Sequence, residues 1–257
     1  MSKNHELSGK KLLWATLLNF VITAAEIVGG LMANSLALLS DALHNFSDGV
    51  AVFIAYIANK VSHRSSTEKK TFGYKRIEIL AALFNAVVLV AISFYLFFEA
   101  YKRFRNPEEI KAGLMMIVAV IGLLANIAAM VLLRKDSHHN LNVKAAYLHL
   151  LGDTLSSVAV IIGGILIYFF DINWIDPLVT VIIGVYILKE TVAILKETVD
   201  ILMQSTPSEL DLNRIKAEIE QMEHVSNIHH VHAWKINEKE IHFDAHIDLD
   251  EDLPLQQ

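Results

Sequence analysis

Two pairs of residues in this 257-residue chain have the types and spacing to bind a metal ion. They are His44 and Asp48 in HNFSD, and His149 and Asp153 in HLLGD. Each reads H-x-x-x-D, so on a helix the two side chains of a pair lie on one face, a turn apart. Together they supply two imidazoles and two carboxylates, a complete tetrahedral set for Zn²⁺. Two neutral histidines and two ionised aspartates also balance the charge of a divalent cation. An all-oxygen set would lean to Mg²⁺ or Mn²⁺, whereas imidazole tilts this one toward Zn²⁺, with Co²⁺ and Cd²⁺ also fitting. The chain has 12 histidines and no cysteine, which removes disulfides, thiolate sites and cysteine nucleophiles together. A site without thiolates should also release its metal more readily than a structural Cys₄ site.

The elements that must position these pairs are apolar. Of the residues, 54% are hydrophobic and the mean hydropathy is +0.42, which places the chain in the membrane class. A helix needs about 20 apolar residues to cross the hydrocarbon. Six segments meet that requirement: 12–32, 36–58, 77–101, 114–133, 143–170 and 177–202. Asp176-Pro177 reads as an N-cap followed by proline at the first helical position of the sixth. The two H-x-x-x-D pairs fall in the second and fifth. An ionisable residue at membrane depth costs about 2.5–3.5 kcal/mol. A lone histidine or aspartate could be held by a neighbouring helix for packing alone. Two identical pairs on separate spans incur the penalty four times and favour a metal site. Asn19, Glu26, Asn85 and Asn126 are expected to line an aqueous path or hydrogen-bond between helices, and Asp41 to belong to a cavity mouth or to cap or solvate a span end.

The polar tail 1–11 lacks a small-residue cleavage site, so the first apolar run is expected to remain as a span. Basic residues crowd the tail, the second-to-third connection (Lys60, Arg64, Lys69, Lys70, Lys75, Arg76) and the fourth-to-fifth. The first-to-second and fifth-to-sixth connections carry none, while the third-to-fourth dissents with Lys102, Arg103, Arg105 and Lys111. The balance predicts both termini in the cytoplasm of a cell-membrane protein. Residues 12–203 then form a transport domain, and 204–257 a small cytoplasmic αβ domain. In the latter, 207–224 reads as an amphipathic helix with Asp211 as N-cap. Strands follow at 228–236 and 241–248, joined by a tight turn over 237–240. Period-two alternation puts His229 opposite to His230 and His232. One helix and two strands make a thin core, so this piece is expected to lean on a partner or to be cut short.

The net charge of −6 and the lack of a basic, aromatic-interleaved patch give no sign of nucleic-acid binding. An intramembrane metalloprotease would need H-E-x-x-H or an equivalent general base, which neither pair provides, so no enzyme is expected. A membrane-embedded metal sensor and a passive channel remain as rivals to a transporter.

At these residues the sequence resembles the cation diffusion facilitator family, in its bacterial zinc/cadmium/cobalt-exporting branch. The likeness rests on Ser35–Ala51, Thr71–Ala86, Asn142–Ser157 and the strand Ile228–Trp234 (IHHVHAW). It implies a homodimer of six-span bundles in the lipid bilayer, each with a ferredoxin-like, metallochaperone-like cytoplasmic domain. It also implies export of Zn²⁺, or of Cd²⁺, Co²⁺ or Fe²⁺, in exchange for protons by alternating access. The transported ion falls on His44, Asp48, His149 and Asp153. A dimer charge pair falls on Arg76 and Asp200. A cytoplasmic regulatory metal falls on His229 and His246, with His232 and His242 nearby. Three features depart from the family pattern. The family's second cytoplasmic helix and third strand are missing, the fourth-to-fifth loop has only His138-His139, and the second-to-third loop offers His63 and Glu68 without a ligand cluster.

Overall fold

The computed structural model describes residues 19–137, 141–237 and 240–250, with the side chains of 135–137 and 141–146 left aside. The tail 1–11, the first residues of the first apolar segment, His138-His139 and the final stretch 251–257 lie outside the described residues. Six long or apolar helices come first: α1 (Asn19–Ala33), α2 (Leu36–Ser62), α3 (Ile77–Arg105), α4 (Ala112–Ser137), α5 (Leu141–Phe170) and α6 (Ile175–Leu202). A short helix α7 (Leu212–Ile219) and strands β1 (Val225–Lys235) and β2 (Ile241–Leu249) follow.

Four helices, α3 to α6, are long and apolar enough to cross a membrane. They keep much of that apolar surface outward, for example Phe84, Phe94, Ile121, Val131, Ile162 and Val185, as expected where the surrounding solvent is lipid. Helix α2, with 27 residues, is about 40 Å long but is not among these four. Ser40, Asp41, His44, Asn45, Ser47 and Asp48 dilute its hydropathy, because they form its inner face rather than its lipid face.

The chain divides into two compact units. One holds the chain to Ile54 together with Asn85–Ala193; the other holds Ala55–Phe84 together with Ile194–Gln257. The apolar core of the first draws on all six helices, with Ala33, Leu38, Leu89, Met115, Val160, Ile183 and Ile187 among its members. Between α1 and α2 the chain turns at Asn34, whose φ of 55° is left-handed, a conformation asparagine tolerates at a helix C-terminus.

Asp176 does not cap its own helix. Helix α6 begins at Ile175, and the Asp176 side chain instead accepts from Ser35 Oγ (2.5 Å), Leu36 N (2.8 Å) and Ala37 N (3.3 Å). It thus caps α2 from a neighbouring helix, where the free backbone N–H groups and the helix dipole favour an anion. Arg103 Nη1 stands 3.9 Å from it and donates to the Asn34 carbonyl at 2.5 Å. Arg103 also lies 3.6 Å from Glu108, and Lys102 bonds Glu99 at 3.0 Å. Two of the basic residues that dissented from the charge pattern are therefore held in ion pairs.

In the second unit, Asp211 is the N-cap of α7, accepting from Asn213 N and Arg214 N at 3.0 and 3.2 Å. The helix stops at Ile219, five residues before the predicted end, and the chain passes through turns to β1. The strands pair antiparallel with irregularities between Val225 and Asn227 and between His229 and His232. Ile228, Ala233 and Ile236 are buried, but Ile241, Phe243, Ile247 and Leu249 remain exposed. Lys75, in the segment between α2 and α3, bonds Glu240 at the hairpin turn at 2.5 Å.

Candidate metal sites

Helices α2 and α5 bring their H-x-x-x-D faces together. His44 Nε2 lies 3.4 Å from Asp48 Oδ2, and that oxygen is 3.4 Å from His149 Nε2. His149 Nε2 is 3.6 Å from Asp153 Oδ2. A tetrahedral ion with bonds of about 2.0–2.2 Å holds its ligand atoms roughly 3.3–3.6 Å apart, so all three separations match those edges. The four groups form a chain, His44–Asp48–His149–Asp153, with the two imidazole rings 6.1 Å apart.

A cavity of about 50 Å³ opens beside His44, His149 and Asp153, and α6 walls it with Ile183, Tyr186 and Ile187. Gly152 leaves room for that wall, since a Cβ there would stand 3.3 Å from the Tyr186 hydroxyl. Asp153 is 2% exposed, and its Oδ2, like His44 Nδ1, has no hydrogen-bond partner among the described residues. Buried polar atoms without partners are costly; a bound cation or proton on the carboxylate relieves that cost.

The ligand faces continue as polar rows. Asp41, three residues before His44, is neither at a cavity mouth nor solvated: it is buried and accepts from Ser156 and Ser157 of α5. Asn45 donates to Glu26 of α1 at 3.4 Å. Ser47 donates to Asn85 of α3 at 3.1 Å. Ser156 and Ser157 stand one turn beyond Asp153, so their place on the inner face was legible in the spacing.

The hairpin gathers a different set. His229, His230 and His246 each offer a ring nitrogen, and the three nitrogens lie within 4.8 Å of one another. Ring centroids are 4.9, 5.4 and 5.0 Å apart. This corrects the alternation expected of β1. The irregularity after His229 and the left-handed φ of 51° at His230 turn the His230 ring to the side of His229, as a bulge does. His229 pairs directly with His246, and its Nδ1 is 3.4 Å from Asp248 Oδ2. His232 and His242 do not join them. His232 pairs with Asp244, and His242 stacks on Trp234 at 5.8 Å and meets Phe72 at 5.2 Å. Arg76 and Asp200 make no ion pair with each other among the described residues.

The family model for the cation efflux transmembrane domain matches residues 12–203, three-quarters of the chain. The chain belongs to the cation efflux family. This bears out the resemblance carried by its sequence motifs. A second family model, the cation efflux protein cytoplasmic domain, matches residues 207–257. The chain is 38% identical to a cadmium, cobalt and zinc/H⁺-K⁺ antiporter of Bacillus subtilis, across 100% of this chain and 84% of that protein. It is 40% identical to zinc transporter ZitB of Pectobacterium atrosepticum, across 92% of this chain and 75% of that one. It is 38% identical to the metal cation efflux system protein CzcD of Cupriavidus metallidurans, across 87% and 71%. As a cation efflux protein, its function is the movement of metal cations out through the membrane.

Proposed function

We propose that this cation efflux protein exports Zn²⁺ in exchange for protons, using His44, Asp48, His149 and Asp153 as the ligands of the transported ion. The observation that carries this is the run of three ligand-atom separations, 3.4, 3.4 and 3.6 Å, between helices α2 and α5. Two imidazoles and two carboxylates favour zinc over the hard cations, and relatives named as zinc and cadmium, cobalt and zinc transporters support that choice. Ligands must be deprotonated to hold metal, so protons and metal compete for the same side chains. Metal enters from the cytoplasm, binds, and is released outward when the spans rock and protons take its place.

In this reading six spans, over 12–203, place both termini in the cytoplasm, and 204–257 form the cytoplasmic domain. The Lys and Arg of the tail and of the second-to-third and fourth-to-fifth connections support that orientation. The exposed Ile241, Phe243, Ile247 and Leu249 of β2 suit burial against a second copy, and Arg76 and Asp200 are then the charge pair that ties protomers. The His229–His230–His246 trio is the cytoplasmic regulatory metal site.

The test uses everted vesicles carrying a pH gradient. Asp153→Asn is expected to abolish zinc uptake, and uptake at the wild-type rate by that variant overturns the ligand assignment.

A further inference from the structure

Glu26 of α1 is a buried carboxyl that the metal site does not use. It is 1% exposed. Its Oε2 accepts from Asn45 at 3.4 Å, while Oε1 has no hydrogen-bond partner among the described residues. Helix α4 makes room for Oε1 at Gly122, where any Cβ would collide with it. One turn along the same face of α4 comes Asn126, 1% exposed, with both its amide oxygen and nitrogen unpartnered among the described residues. The charges acting on Glu26 are those of Asp41 on α2 and Asp153 on α5, and on α4 it is Gly122 that borders Oε1. Among the described residues no Lys or Arg forms an ion pair with it, so an ionised Glu26 stands uncompensated unless a positive charge is nearby.

We propose that Glu26 is a proton carrier of the exchange, distinct from the four metal-ligating side chains. This rests on the metal/proton exchange proposed above. When the divalent ion leaves the α2–α5 site, the local positive charge is lost, and Glu26 Oε1 takes one proton from the outer side to become a neutral acid. When the next ion binds between Asp48 and Asp153, its charge favours the anion. The O–H bond of Glu26 then breaks and the proton leaves to the cytoplasm. Asn126 suits both states, because its oxygen can accept from the acid O–H and its nitrogen can donate to the carboxylate. Buried acids inside spans that serve no packing pair are the usual parts of proton relays.

The test uses the full chain in proteoliposomes, with one dye for internal Zn²⁺ and one for pH. A wild type that takes up zinc without moving protons defeats the exchange reading itself. With coupling established, Glu26→Gln should keep exchange of labelled zinc when zinc is present on both sides, yet lose net uptake driven by a pH gradient. Glu26→Asp, which retains an acid, should keep coupled uptake. Net uptake by Glu26→Gln at the wild-type rate overturns the proposal. So does loss of both exchange and net uptake in both variants, which marks Glu26 as a structural residue.

Discussion

The α2–α5 cluster and the hairpin trio both bring histidines within metal-binding distance, but opposite kinds of backbone build them. In the bundle, regular helix geometry does the work, because an i,i+4 pair lies on one face wherever the helix stands. In the hairpin, an irregularity does it: His229 and His230 are adjacent in sequence and share one side only through the bulge that follows them. Surroundings differ as well. Asp153 is buried with an orphaned oxygen, whereas His230 and His246 face solvent. A buried, charge-bearing set that would cost much to leave empty suits an ion in transit between protons. An exposed imidazole trio, backed by Asp248, suits one that equilibrates with the surrounding water.

Four substitutions test that contrast, the largest effect first. Asp48→Asn should weaken zinc binding at the bundle site by at least about 100-fold, more than loss of an outer-shell partner costs, because Asp48 Oδ2 is shared by both histidines; calorimetric titration checks it, and a smaller loss than His44→Ala would break the shared-ligand picture. With the bundle site disabled by Asp153→Asn, residual zinc binding should fall roughly tenfold in His230→Ala, the scale of a lost supporting contact, and stay unchanged in His232→Ala. Equal losses in the two would restore simple strand alternation. Asp176→Asn should lower stability by about 1–3 kcal/mol, read as a lower melting temperature in detergent, since it weakens the cap of α2 without touching a ligand. Lys75→Gln should cost at most about 0.2–1 kcal/mol, because both ends of its pair with Glu240 are about 40% exposed and salt screens them.

Much of the bundle was legible beforehand. Predicted starts at 36 and 77 coincide with those of α2 and α3, since apolar runs bounded by polar residues leave little freedom in lipid. The two ligand pairs were legible because spacing by four survives any arrangement of helices. Asp176 was misjudged: an aspartate before proline is a local cap signal, and only packing showed that a closer orphan N–H lay on another helix. His230 was misjudged for a similar reason, since alternation presumes a regular strand.

The sequence by itself determined that this is a membrane protein with two histidine–aspartate pairs on separate spans and a small αβ piece behind them. Periodicity and burial cost are local properties, and they need no partner to act. Only the tertiary structure decided which helices meet, that Asp41 is enclosed by Ser156 and Ser157, that Glu26 faces Asn45, and that His230 rather than His232 joins His229. Each of those is a choice among several satisfactory partners, and in a packed interior the choice belongs to the whole fold.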